Sequence, residues 1–149
     1  MAVRVITAGN STPTIYFMAR STTDGQGLIA KTSTHFTAWY AATKTDGHSA
    51  GPTEISLTDG TLNDWGSGQL VKVSDTTNKG LYQLCLPSGI TTAAYREVRV
   101  NITCTGMIDV CETVIVTALD LQTASTAQTG DAYAALTDGK SALSAASLT

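Results

Sequence analysis

Hydrophobic and polar residues alternate over short stretches of this chain, as they do in half-buried β-strands. The clearest stretch is residues 97–104, where Val98, Val100 and Ile102 are expected to face inward and the polar Arg99, Asn101 and Thr103 outward. Similar runs occur at residues 14–20, 34–43, 54–58, 70–74, 81–86 and 110–121. Residues 45–52, which include Asp, Gly and Pro, are expected to form a long loop. The pattern therefore predicts seven or eight strands, one about every ten to fifteen residues.

The strongest local prediction comes from residues 65–87, which have the pattern of a strand, a turn and a second strand. Residues 75–80 consist mostly of Asp, Thr, Asn and Gly, which favour turns. In the strand that follows, Tyr82 and Leu84 share one face, and Pro87 ends the strand. We therefore expect a β-hairpin here, with Tyr82 in the core.

Turns that contain glycine separate the predicted strands, and 149 residues are enough for one domain with its own core. We predict an all-β fold, an antiparallel β-sandwich of the immunoglobulin-like type, over residues 1–121. Within it, residues 1–13 are expected to form an N-terminal arm or edge strand. The Cys…Trp…Cys spacing of antibody domains is absent from the sequence.

From residue 122 onward the composition changes, and Ala, Ser and Thr predominate. Leu136 and Leu143 are seven residues apart, which is one heptad step, so a helix that associates with copies of itself is one alternative. The other is an extended arm laid on a neighbouring subunit. We predict that residues 122–149 form a C-terminal arm, extended or partly helical.

Charged residues make up only 14% of the chain and the net charge is −3, so there is no basic field to attract nucleic acid. Threonine, with 26 residues, supplies much of the polarity and favours strands. No run approaches the roughly 20 apolar residues of a membrane span. Residues 1–7 lack the apolar core of a signal peptide, so synthesis in the cytoplasm is expected.

The sequence contains three cysteines, Cys85, Cys104 and Cys111, with no metal-binding spacing. Cys104 and Cys111 flank Gly106 in a predicted hairpin, so a bridge between them is one alternative. We favour the other, in which all three are small buried thiols in a reducing compartment.

No arrangement of residues predicts catalysis, a cofactor or a metal, and we expect the protein not to be an enzyme. His35 and His48 lack further ligands at a fitting distance in the sequence. Asp59, Asp64 and Asp75 fall in predicted loops, where Asp more often bonds nearby backbone than binds calcium or cleaves glycosides.

Trp39 and Trp65, with Tyr40 and Tyr82, are candidates for a surface that stacks on sugars, although such aromatics more often fill the core of a sandwich. The candidate contacts for a ligand or an interface are Trp39, Trp65, Tyr133, Leu136 and Leu143.

Part of the chain, residues 53–135, resembles β-sandwich modules in structural proteins of bacteriophages and prophages. The residues that carry the resemblance are Trp65, Gly68, Asp75 and the runs 80–87, 114–116, 119–121 and 128–134. Such modules occur in tail and head fibres and in accessory proteins of the virion.

The resemblance implies a non-enzymatic virion protein that associates with itself, usually as a trimer, and attaches to capsid or tail proteins. Fibres of this kind continue into a long stalk, so a chain of this length fits a capsid decoration or fibre-base (adaptor) subunit better. The alternative function is a carbohydrate-binding module or adhesin that uses exposed aromatics. Neither function involves nucleic acid or a membrane.

Overall fold

The computed structural model of the chain describes residues 3–118, which form nine strands and two short 3-10 helices. In chain order the strands are β1 (Val3–Thr7), β2 (Thr14–Met18), β3 (Phe36–Lys44), β4 (Ser49–Ile55), β5 (Thr58–Asp59), β6 (Gln69–Lys72), β7 (Leu81–Cys85), β8 (Tyr95–Cys104) and β9 (Val110–Thr117). The 3-10 helices are Ser33–His35, directly before β3, and Ser88–Thr91, between β7 and β8.

The strands form two sheets that pack face to face around one core, so the predicted all-β sandwich is confirmed. One sheet has five strands in the order β1-β9-β8-β3-β4, and the other has four in the order β2-β7-β6-β5. The pairing is antiparallel except at two sheet edges, where β1 runs parallel to β9 and β5 runs parallel to β6.

The inward faces of the strands are the ones that the alternation predicts. On β8, the side chains of Val98, Val100 and Ile102 are completely buried, whereas the Arg99 and Asn101 side chains between them are exposed. Burying an aliphatic side chain of this size stabilises the fold by roughly 1.5–3 kcal/mol, before entropic costs. The core therefore fixes which side chains the five-stranded sheet turns toward solvent.

An aromatic cluster lies at the centre of the core. The ring of Tyr82 lies 5.1 Å from that of Phe36 and 5.7 Å from that of Phe17, measured between centroids. The Tyr82 hydroxyl donates to the backbone oxygen of Leu28 at 2.9 Å and also lies 3.3 Å from that of Lys31. Burial raises the pKa of Tyr82 above its ordinary value. Tyr82 is therefore a core residue whose hydroxyl also forms hydrogen bonds to the segment between β2 and β3.

The predicted hairpin is present as β6 and β7, joined by a loop that needs glycine at its end. Gly80 has φ +82°, and a Cβ there would come within 2.6 Å of the backbone oxygen of Ala19. Lys72 and Asp75 form an ion pair at the start of the loop. The shape of the loop therefore depends on the close approach of the Gly80 backbone to that of Ala19, as well as on residues that favour turns.

The sequence prediction was wrong between residues 45 and 58. A long loop was expected at residues 45–52 and a strand at 54–58, but β4 begins at Ser49 and ends at Ile55. Gly and Pro are strong turn signals, yet an edge strand accepts both where the ladder is interrupted. Here the pairing of β3 with β4 shifts register between Tyr40 and Ala42, and Gly51 there has φ +92°.

The predictions for the cysteines were only partly right. All three are free thiols, so the alternative of a Cys104–Cys111 bridge is excluded. Cys104 packs against the core, whereas Cys111 is exposed and lies opposite Asn101 on the other face of the sheet. Only Cys85 is fully buried. Cys104 and Cys111 differ in exposure because the alternation along the hairpin of β8 and β9 places them on opposite faces of the sheet.

Some predictions concern parts of the chain outside residues 3–118. The C-terminal arm at 122–149, with Tyr133, Leu136 and Leu143, lies outside the described residues. Of the N-terminal segment 1–13, the described part includes the edge strand β1.

Replacing Tyr82 with Phe should lower the free energy of unfolding by about 1 kcal/mol, because the partly buried backbone oxygens of Leu28 and Lys31 lose their donor. Urea unfolding followed by tryptophan fluorescence measures this change. Tyr16→Phe is the matched control: its hydroxyl donates to Gln83 at 3.3 Å but its ring is more than a third exposed. An equal cost for both variants would contradict the role given to Tyr82.

Candidate functional site

The outer face of the five-stranded sheet carries Trp39, one of the candidate contacts, and the exposed Cys111. Strand register places its side chains in rows that run across the sheet. The rows are Glu54–Trp39–Asn101–Cys111, Ala41–Arg99–Thr113–Val3 and Thr43–Glu97–Ile115–Val5. The face therefore combines the aromatic side chain of Trp39, the charged side chains of Glu54, Arg99 and Glu97, and an apolar edge at Val3 and Val5.

A groove of about 440 Å³ opens on this face beside the indole of Trp39. Pro52 of β4 and Arg99 and Asn101 of β8 also line it, and Ala41 of β3 lies between them. Because the side chain of Ala41 is one methyl group, it leaves the space that a larger residue would fill. The Trp39 groove, as we call this feature, thus results from a small residue at the register shift between β3 and β4.

The charge beside the groove is largely neutralised. The Nε–H of Arg99 donates to the Glu97 carboxylate at 2.8 Å, and this hydrogen bond raises the pKa of Arg99. The pair is exposed, so it adds little to stability. Its effect is to hold the guanidinium along β8, and in the part of the chain that the structure describes its remaining N–H groups have no partner and can bind a ligand.

Two polar groups at the groove are available to a ligand. Among residues 3–118, neither the Trp39 indole N–H nor the Asn101 side-chain amide has a hydrogen-bond partner. Trp39 is 39% exposed, so part of its ring faces solvent. An exposed ring beside an amide and a guanidinium is able to stack on a ligand and to bind its polar groups.

Sequence reasoning selected Trp39 for this site but missed its neighbours. Positions 99 and 101 were recognised as facing outward, and that alternation was the only signal available. What brings them beside Trp39 is the pairing of β3 with β8, in which Trp39 lies opposite Asn101 and Ala41 lies opposite Arg99. Pro52 was expected in a loop and is instead on the adjacent strand.

Trp65 lies elsewhere and has a different environment. Its indole N–H donates to the backbone oxygen of Pro13 at 3.2 Å, and the side chain is only partly exposed. The neighbouring Asp64 carbonyl lies within 3.5–3.7 Å of the side chains of Gln83 and Cys85. The loop that carries Trp65 therefore covers the outer face of the four-stranded sheet, and Trp39 and Trp65 do not form one platform.

The carboxylates considered for chemistry have structural partners. Asp59 accepts the backbone N–H of Ser33 at 2.8 Å, Asp64 accepts that of Trp65 at 2.9 Å, and Asp75 pairs with Lys72. Within the described ranges, no three His, Cys, Asp or Glu side chains are placed to share a metal ion. These contacts favour the interpretation that the three aspartates shape loops.

The chain has no match among protein-family models and no significant similarity to a curated protein. Among residues 3–118, none of the helices has the length and apolarity needed to cross a bilayer.

The Asp59 carboxyl should titrate below the ordinary aspartate pKa, because the N–H of Ser33 stabilises its charged form. The contact should stabilise the fold fully above the ordinary pKa and be lost as the pH falls through the lowered one. A carboxyl-carbon NMR titration of Asp59 measures the value. Titration at or above the ordinary value would show that the contact is absent in solution.

Proposed function

We propose that this protein is a non-enzymatic structural subunit of a bacteriophage virion, either a capsid decoration or a fibre-base (adaptor) subunit. It acts by associating with copies of itself and attaching to capsid or tail proteins. Three observations support the proposal: the resemblance of residues 53–135 to phage modules, the strand order, and the distribution of open and blocked sheet edges. The edge strand β1 carries most weight.

The strand order supports the immunoglobulin-like type of sandwich. In variable-type domains the second sheet adds a strand next to C, and the strands B, E and D are neighbours in the first sheet. Here β2, β7 and β6 have the relation of B, E and D, and β9, β8, β3 and β4 have that of G, F, C and C′. The short β5 and the strand β1, which pairs in parallel with β9, are the two strands outside this match.

The single observation that carries the assembly role is the apolar surface of β1. Val3 and Val5 are 60% and 52% exposed, and Ile115 of β9, which lies opposite Val5, is partly exposed. No strand in residues 3–118 pairs with the other side of β1. An edge strand with exposed apolar side chains is a surface on which another chain can pair or pack.

The other long edge strands are protected against such contacts. On β4, Pro52 has no N–H to offer a neighbouring strand. On β2, the guanidinium of Arg4 donates to the backbone oxygen of Tyr16 at 2.9 Å and covers that edge. Association is therefore directed to β1, and the trimer implied by the resemblance is the stoichiometry we propose.

Val5→Lys should convert the assembled protein to monomers, because a lysine on an edge strand opposes pairing. Size-exclusion chromatography with light scattering measures the mass of the full chain. Thr37→Lys, at an exposed position on the same face of β3, is the matched control and should leave the mass unchanged. A wild-type protein that stays monomeric at high concentration would refute the assembly role.

Attachment is tested separately, by mixing the purified protein with heads and with tails of the phage that carries the gene. We expect saturable co-sedimentation with one of the two, and Val5→Lys should weaken it because it removes multivalent binding. Sedimentation with neither heads nor tails would refute the virion role even if the protein forms trimers.

A further inference from the structure

We propose that the Trp39 groove binds one uncharged hexose ring of a glycan. The inference goes beyond the structural role proposed above and does not depend on it, since the groove belongs to a single chain. It assigns a ligand class to a site formed by Trp39, Ala41, Pro52, Arg99 and Asn101.

The dimensions of the groove suit a small saccharide. At about 440 Å³ it falls in the lower part of the range of small-ligand sites, which runs from roughly 300 to 1,000 Å³. The methyl group of Ala41 leaves the space beside the indole free, and Pro52 bounds that space on the β4 side. A single ring can therefore lie against Trp39 with the rest of the glycan extending into solvent.

The groove offers the two kinds of contact that a sugar ring requires. One face of a pyranose consists of C–H bonds, whose positive hydrogens are attracted to the negative face of an indole. Its hydroxyls both donate and accept, and an amide such as that of Asn101 also does both. The free N–H groups of Arg99 add donors to the same side of the groove.

The charges beside the groove select for an uncharged ligand. Arg99 is paired with Glu97 across 2.8 Å, and Glu54 lies opposite Trp39 on β4. A carboxylate or phosphate on the ligand would meet the neutralised cation of Arg99 and the anion of Glu54, which has no ion-pair partner within residues 3–118. An acidic sugar is therefore disfavoured relative to a neutral one.

The first experiment titrates the full chain with the methyl glycosides of glucose, galactose and mannose, and with those of glucuronic and sialic acid. Isothermal calorimetry and backbone NMR shifts report binding. We expect at least one neutral glycoside to bind and to shift the signals of Trp39, Ala41 and Asn101. The proposal is overturned if no neutral glycoside shifts them, or if the acidic glycosides bind more tightly.

Three variants test the geometry. Trp39→Ala should weaken binding by about tenfold or more, whereas Trp39→Phe, which keeps an aromatic face, should retain most of it. Ala41→Leu should also weaken binding, because it fills the groove without changing Trp39 or its polar neighbours. Thr37→Leu is the matched control on the same face of β3 and should bind like the wild type.

Tryptophan fluorescence tests whether the sugar binds beside Trp39. The chain has two tryptophans, so Trp39→Phe leaves only Trp65, which lies over the other sheet. The wild-type emission should change on adding the bound glycoside, and the Trp39→Phe emission should not. Equal loss of binding in Thr37→Leu would show that the effects are not specific to the groove, and it would overturn the proposal. Protection of the Trp39 region from hydrogen exchange by a virion protein, and not by sugars, would identify a protein-docking face and would also overturn it.

Discussion

The structure depends most on the antiparallel pairing of β3 with β8, which runs from Phe36 opposite Cys104 to Lys44 opposite Tyr95. Slipping this ladder by one residue would turn every side chain of the moved strand to the opposite face. Val98 and Val100 would leave the core and Arg99 would enter it. The demand of the core for apolar side chains thus fixes the register, and the register places Trp39 beside Asn101 on the outside.

Local alternation was sufficient to predict much of this arrangement from the sequence. It identified the buried face of β8, the hairpin of β6 and β7, and the core position of Tyr82, because each depends on neighbouring residues along one or two strands. The sandwich followed from the number and spacing of the strands. Alternation also indicated that Arg99 and Asn101 face solvent.

The rest could not be predicted, since it depends on contacts between residues far apart in the chain. Nothing in residues 1–13 indicates that β1 pairs in parallel with β9, more than 100 residues later. Gly51 and Pro52 favour a loop when read along the sequence, whereas the register shift that accommodates them in a strand depends on β3 and β4 together. The sequence likewise indicates Trp39 as a candidate contact but not the groove beside it, because the groove depends on how β3 pairs with β4 and β8.

Pro52 limits how far strand pairing between copies of the chain could extend across this sheet. β1 and β4 are the two edges of the same sheet, and only β4 carries a residue that cannot extend a hydrogen-bonded ladder. A sheet with two open edges can add copies without limit, as amyloid fibrils do. One edge that cannot be extended acts as a terminator, so hydrogen-bonded pairing of copies through β1 cannot propagate into a continuous sheet.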